Sequence, residues 1–172
     1  MKNFIQKFGL ISICIILGVN LVALAVFGSG EESYANGEIV GYSTILVVEL
    51  LILVAIAQFK KKENGVISFG QAFKLGTGIA ALGGLAFAAY NVVYVLYIDS
   101  LFNEKYFAYQ EGLDINAADF AEKYAAFAAE QGFFLSVPFQ TLLMFLTVFL
   151  IGLIISVIGG LVFQSKGKVS AA

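Results

Sequence analysis

Within the apolar part of this chain a single ionisable side chain, Glu49, stands well inside a hydrophobic run, about ten residues or roughly 15 Å from the outer end of its helix. A carboxyl at that depth is disfavoured by a few kcal/mol, so it marks a place where the chain needs one. In lipid it is expected to be held neutral and to act as a hydrogen-bond donor. Counted from the outer ends, Asn20, Asn91 and Thr147 lie at roughly 10–12 Å depth on three other runs, a spacing that allows one polar layer with Glu49. Two kinds of chemistry follow. The layer can be a hydrogen-bonded knot that fixes helix register, or Glu49 can be a proton or cation site of a small transporter or channel component.

The residue types exclude much else. There is no His and no Trp, and all ten basic residues are Lys. A His-ligated metal, a His base, an Arg clamp on phosphate and a Ser-His-Asp triad are therefore unavailable. The single cysteine, Cys14, forms neither an intramolecular disulfide nor a metal cluster. Gly76, Gly78, Gly83 and Gly84 lie in an apolar run with no preceding strand, so they are packing glycines and no phosphate loop. No enzyme activity, no cofactor and no nucleic-acid partner is expected.

The elements that must carry these residues are set by hydropathy. Apolar types make up 60% of the 172 residues and charged types 13%, with a mean hydropathy of +0.90, which points to the bilayer as solvent. Four apolar segments, about 8–27, 39–59, 75–98 and 139–163, are each long enough to cross a hydrocarbon core of roughly 30 Å as helices. None alternates as a barrel strand does. The expected fold is an all-α integral membrane protein, one domain over 1–168 with a short tail at 169–172, its four transmembrane helices in a bundle. Lys2 and Lys7 followed by Ala23-Leu24-Ala25 also resemble a secretory signal, but the run is longer than a signal core and it is read as a span.

Charge orients the spans. Lys2, Lys7, Lys60, Lys61, Lys62, Lys74, Lys166 and Lys168 fall on one side, opposed only by Glu63, a sum of +7. Glu31, Glu32, Glu38, Asp99, Glu104, Glu111, Asp114, Asp119, Glu122 and Glu130 fall on the other with Lys105 and Lys123, a sum of −8. The positive-inside rule places both termini in the cytoplasm. Tyr42, Tyr90, Tyr94 and Tyr97 gather at the outer ends of the spans as an aromatic belt.

Between the spans, 28–38 reads as a plain turn-rich connection. Ser68 is a candidate N-cap feeding the third span, with Phe69 and Phe73 one turn apart. The acidic stretch 99–132 carries the one outer helix, expected over about 116–131. It is amphipathic, with Phe120, Tyr124 and Phe127 on one face. That face either lies on the rim of the bundle or docks an envelope partner. Within the third span Gly76, Ala80, Gly84 and Ala88 recur every fourth residue, as do Gly152, Ser156 and Gly160 in the fourth. Such rows allow close backbone approach in lipid, either between these two spans or in a homo-oligomer.

Several of these features recur in a fixed order that resembles the domain of unknown function 4199 family, small four-helix bacterial inner-membrane proteins. They are the turn Lys60-Lys61-Lys62-Glu63-Asn64-Gly65, then Ile67-Ser68-Phe69-Gly70-Gln71-Ala72-Phe73-Lys74-Leu75-Gly76, then Tyr90-Asn91 and Ile98-Asp99. The acidic outer helix and a last span ending Phe149-Leu150-Ile151-Gly152-Leu153-Ile154-Ile155 complete the set. After Ile98-Asp99, where the family is expected to have Pro, this chain has Ser100. The resemblance implies the architecture and lends no catalytic residue. A non-catalytic protein acting through membrane assembly or contact with an envelope partner is the expected function, with the Glu49 transporter as its alternative.

Overall fold

The computed structural model describes residues 1–29 and 31–165, with the side chains of Glu31 and Glu32 left aside; Lys166, Lys168 and the 169–172 tail lie outside the described residues. It is an all-α membrane protein. Six α-helices run in the order α1 (Lys2–Phe27), α2 (Glu31–Lys62), α3 (Phe69–Val93), α4 (Phe102–Glu111), α5 (Phe120–Gln131) and α6 (Val137–Phe163), with a π-helical turn over Tyr94–Ile98 prolonging α3. Among the described residues four helices are long and apolar enough to cross a membrane: Lys2–Phe27, Ser33–Lys62, Phe69–Ile98 and Val137–Phe163.

Helices outrun their apolar segments at several ends. The expected connection 28–38 is corrected to a short turn, because α2 already begins at Glu31. Gly28 ends α1 at φ 69°, a conformation suited to glycine, and its N–H returns to Leu24 O. At the other end of α2, Gly65 adopts φ +83° and its N–H reaches Lys60 O at 2.9 Å, turning the chain back. Ser68 then caps α3 in a full capping box: its Oγ accepts from Gln71 N at 3.2 Å and Gln71 Oε1 accepts from Ser68 N at 2.9 Å. The rings of Phe69 and Phe73 stack at 5.9 Å. Pro138 sits in the first turn of α6, where no amide partner is lost.

The spans pack unevenly along their length. α3 lies against α6 most closely, with α1 against α2 and α3, and α2 also against α6. Near the lysine-rich end Phe8, Ile52, Ile56, Phe59, Leu75 and Ile79 form a core with exposures of 3% or less. A smaller group, Ile16, Val48 and Ala86, continues it. There the turn after α2 is tied to the end of α6: Ser165 N donates to Ile67 O at 2.8 Å, and Ser165 Oγ accepts from Ile67 N at 3.1 Å and donates to Gly65 O at 3.0 Å.

The acidic end is built differently. The amphipathic helix expected over about 116–131 is present as α5 with a later start, and a second helix, α4, precedes it. Asp114 Oδ1 accepts from Asn116 N at 2.9 Å, a local turn that competes with helix initiation, so α5 starts only at Phe120. The unanticipated α4 ends at Gly112 in the left-handed region, φ 63°. Phe107 of α4 stacks on Phe127 of α5 at 4.5 Å and packs with Phe120 and Tyr124, so the aromatic face of α5 is covered by α4 in a small core of its own. Asp119, an exposed residue, pairs with Lys123 one turn on, which holds its carboxyl below the usual range. The π turn closes where Asp99 N–H reaches Tyr94 O at 2.8 Å, five residues back. Asp99 is 3% exposed and binds Lys105 Nζ at 2.7 Å, which fastens the start of α4 to the end of α3.

Candidate functional site

The small-residue rows show how α3 and α6 meet. A Cβ on Gly76 would overlap Ser156 and one on Gly152 would overlap Ala80, so the two rows interlock at these pairs. Gly84 lies under Phe145, 2.9 Å from its Cδ2 to an added Cβ, and Gly160 lies under Phe69 at 2.7 Å. Close approach of this kind lets backbones and rings supply dispersion contacts that lipid cannot.

Glu49 stands where α2 reaches this seam. It is 0% exposed, and the space a Cβ of Gly152 would need is taken by its Oε2. Glycine at 152 is therefore what admits the carboxyl. Both carboxyl oxygens are buried without a hydrogen-bond partner among the described residues.

The single polar layer is corrected. Asn20 Nδ2 donates to Ile16 O at 2.8 Å and Thr147 Oγ1 to Leu143 O at 2.8 Å, each satisfied by its own helix one turn back. Asn91 Nδ2 is buried and has no hydrogen-bond partner among the described residues. None of the three bonds to Glu49. The three instead share the wall of a cavity toward the acidic end, which Glu49 does not line.

That cavity, about 700 Å³, opens where the packing of the spans loosens. α1 contributes Asn20, α3 Tyr90 and Asn91, the π turn Tyr94, and α6 Gln140 and Thr147, while α4 covers it with Phe102 and Tyr106. Hydrogen bonds fasten the cover to the spans. Tyr106 OH donates to Glu38 Oε1 at 3.0 Å, from α4 to α2, and Gln140 Nε2 donates to Asn103 Oδ1 at 2.7 Å, from α6 to α4. Asn103 Nδ2 in turn donates to Leu135 O at 3.3 Å. Burial, then the bond to Glu38, raises the Tyr106 hydroxyl above its ordinary range. Of the tyrosines read as a belt, Tyr42, Tyr90 and Tyr94 line this cavity, Tyr42 while 66% exposed, and Tyr97, 80% exposed, does not.

Glu38, Asn103, Tyr106 and Gln140 were not singled out by the sequence. Their signal is the density of tyrosine and amide side chains around 90–110 and 140, which only the α4 cover turns into one surface. Over residues 7–165 the sequence matches the family described as protein of unknown function, DUF4199. The chain belongs to the DUF4199 family. No curated protein and no solved structure matches it. The DUF4199 match runs through all four spans and both short helices, so cavity and seam both lie within the family's extent. Among the described residues no group of three or more His, Cys, Asp or Glu side chains could hold a metal ion.

Proposed function

We propose that this DUF4199 protein is a non-catalytic, multi-pass protein of a bacterial inner membrane, with both termini cytoplasmic, that works by binding a partner molecule in its outward-facing cavity. The observation that carries this is the cavity itself. A space of about 700 Å³ lies within the 300–1,000 Å³ typical of small-molecule sites, and its wall mixes aromatic rings with a few amides and hydroxyls, the usual composition of such sites. The fold keeps the space open on one end of the spans while packing the other end tightly, and α4 covers it through side-chain hydrogen bonds rather than a filled core.

The test is native mass spectrometry of the protein released from nanodiscs formed directly from its host membrane. A stoichiometric small molecule is expected with the wild type and lost with Thr147→Phe, which fills the cavity. Wild-type and Thr147→Phe proteins of the same mass adducts would refute binding in this space.

A second reading, ion-coupled transport, draws on the two unpartnered carboxyl oxygens of Glu49. It is weakened by their separation from the cavity. Proton uptake by proteoliposomes that Glu49→Gln abolishes would establish it in place of binding alone.

A further inference from the structure

We infer that the cavity takes a lipophilic cation, a bulky apolar molecule with a quaternary or protonated centre; this rests on the binding reading above and names the class of its ligand. Three observations converge on it. Among the described residues that line the space Glu38 is the only charged one, and no described lysine lines it. Twelve of the thirty lining residues are Phe or Tyr. Aromatic faces are negative, attract a cation within about 6 Å and do so most strongly where water is excluded. Tyr34, Phe102 and Tyr106 stand together beside Glu38, with ring centroids 5.5–5.9 Å apart. The bond from Tyr106 fixes the Glu38 carboxylate at this aromatic group.

The surrounding field agrees. Lys105 is paired with Asp99 and Lys123 with Asp119, so the two lysines of this end are both neutralised, while Glu104, Glu111, Asp114, Glu122 and Glu130 remain to attract cations. An anionic headgroup would meet a carboxylate with no lysine in the wall to balance it. A neutral amphiphile would gain from the rings as apolar surface but nothing from Glu38.

Phenyl-bearing probes of different charge separate these occupants: tetraphenylphosphonium, its isostere tetraphenylborate and the somewhat smaller neutral triphenylphosphine oxide, each titrated against the full chain in nanodiscs of zwitterionic lipid with empty nanodiscs subtracted. Saturable binding of the phosphonium at one per chain is expected, at least tenfold tighter than the neutral oxide, with no saturable borate binding. Glu38→Gln should weaken the phosphonium threefold to tenfold and leave the oxide unchanged. Oxide or borate binding as tight as the phosphonium, or phosphonium binding indifferent to Glu38→Gln, would overturn the cation inference while leaving a binding cavity. Saturable binding of none of the three would overturn both. Tyr106→Phe, which loses the bond to Glu38 but keeps the ring, should retain most of the phosphonium affinity; loss of all binding there, in a folded protein, would show that the rings are not the site.

Discussion

Replacing Glu49 by methionine should make this protein more stable. The carboxyl is 0% exposed and neither oxygen has a hydrogen-bond partner among the described residues, so the fold carries the desolvation cost of an unpaired polar group, about 1–3 kcal/mol. Part of that cost is present before folding, because a helix inserted separately also holds the acid in lipid and finds partners there. The net gain expected on removing it is therefore in the lower half of the range, about 1–2 kcal/mol. Methionine is the informative substitute. It is unbranched and close in length to glutamate, so it can occupy the space beside Gly152, whereas the branch of leucine would press on the α2–α6 contact. Glutamine keeps two polar atoms in the same place and should change stability by less than about 0.5 kcal/mol. Equilibrium unfolding in mixed micelles of mild detergent and dodecyl sulfate measures all three. A loss of more than about 1 kcal/mol in Glu49→Met, with Glu49→Gln unaffected, would mean that the carboxyl has a partner, and the account of an unpaired acid would be wrong.

Three other outcomes follow from the packing and the charge pattern. Gly84→Leu and Gly160→Leu should each destabilise the protein by about 1–3 kcal/mol in the same titration, since an added Cβ already lies 2.9 Å and 2.7 Å from the facing rings; Gly18→Ala, with nothing within 4 Å, should not. Lys105→Ala should cost about 1–3 kcal/mol by stranding the buried Asp99, a value reduced because the lysine is itself one-third exposed, and Asp99→Asn in the same chain should recover part of the loss. Alkaline phosphatase fused after Gly112 should be active and fused after Asn64 inactive; the opposite pattern would reverse the proposed orientation.

The spans were legible because each is a long, predominantly apolar run, a signal that needs no knowledge of neighbours. Their ends were not. Glu31 to Glu38 looks like a loop by polarity, yet Glu and Ala propagate a helix readily once α2 is anchored by its apolar remainder. Ser68 was readable as a cap since the capping box is local, four residues long. α4 was invisible for the contrary reason. Its sequence, FNEKYFAYQE, has no clear apolar stripe, and Phe107 is buried by a partner twenty residues away in α5. The polar layer failed on a competing local interaction: depth along a helix can be counted, but Asn20 and Thr147 turn back onto their own carbonyls, and nothing in the spacing reveals that choice. For Glu49 the sequence showed an acid at depth, and only the fold shows that Gly152 makes its room.

The π turn at Tyr94–Ile98 makes chain length, more than residue identity, the fragile property of that stretch. A π turn is an α-helix that has accepted one extra residue, and each residue of an α-helix advances about 100° around the axis. Losing any one residue from this segment would restore a regular helix and rotate everything after it by about that angle. α4 would then leave the cavity it covers, and Tyr106 would swing away from Glu38 on α2. Side-chain exchanges among 94–98 can drift while the cover stays in place, but a single codon gained or lost there resets its azimuth. Across descendants of this gene, the distance between Asn91 and Asp99 should therefore hold constant even where the letters between them do not.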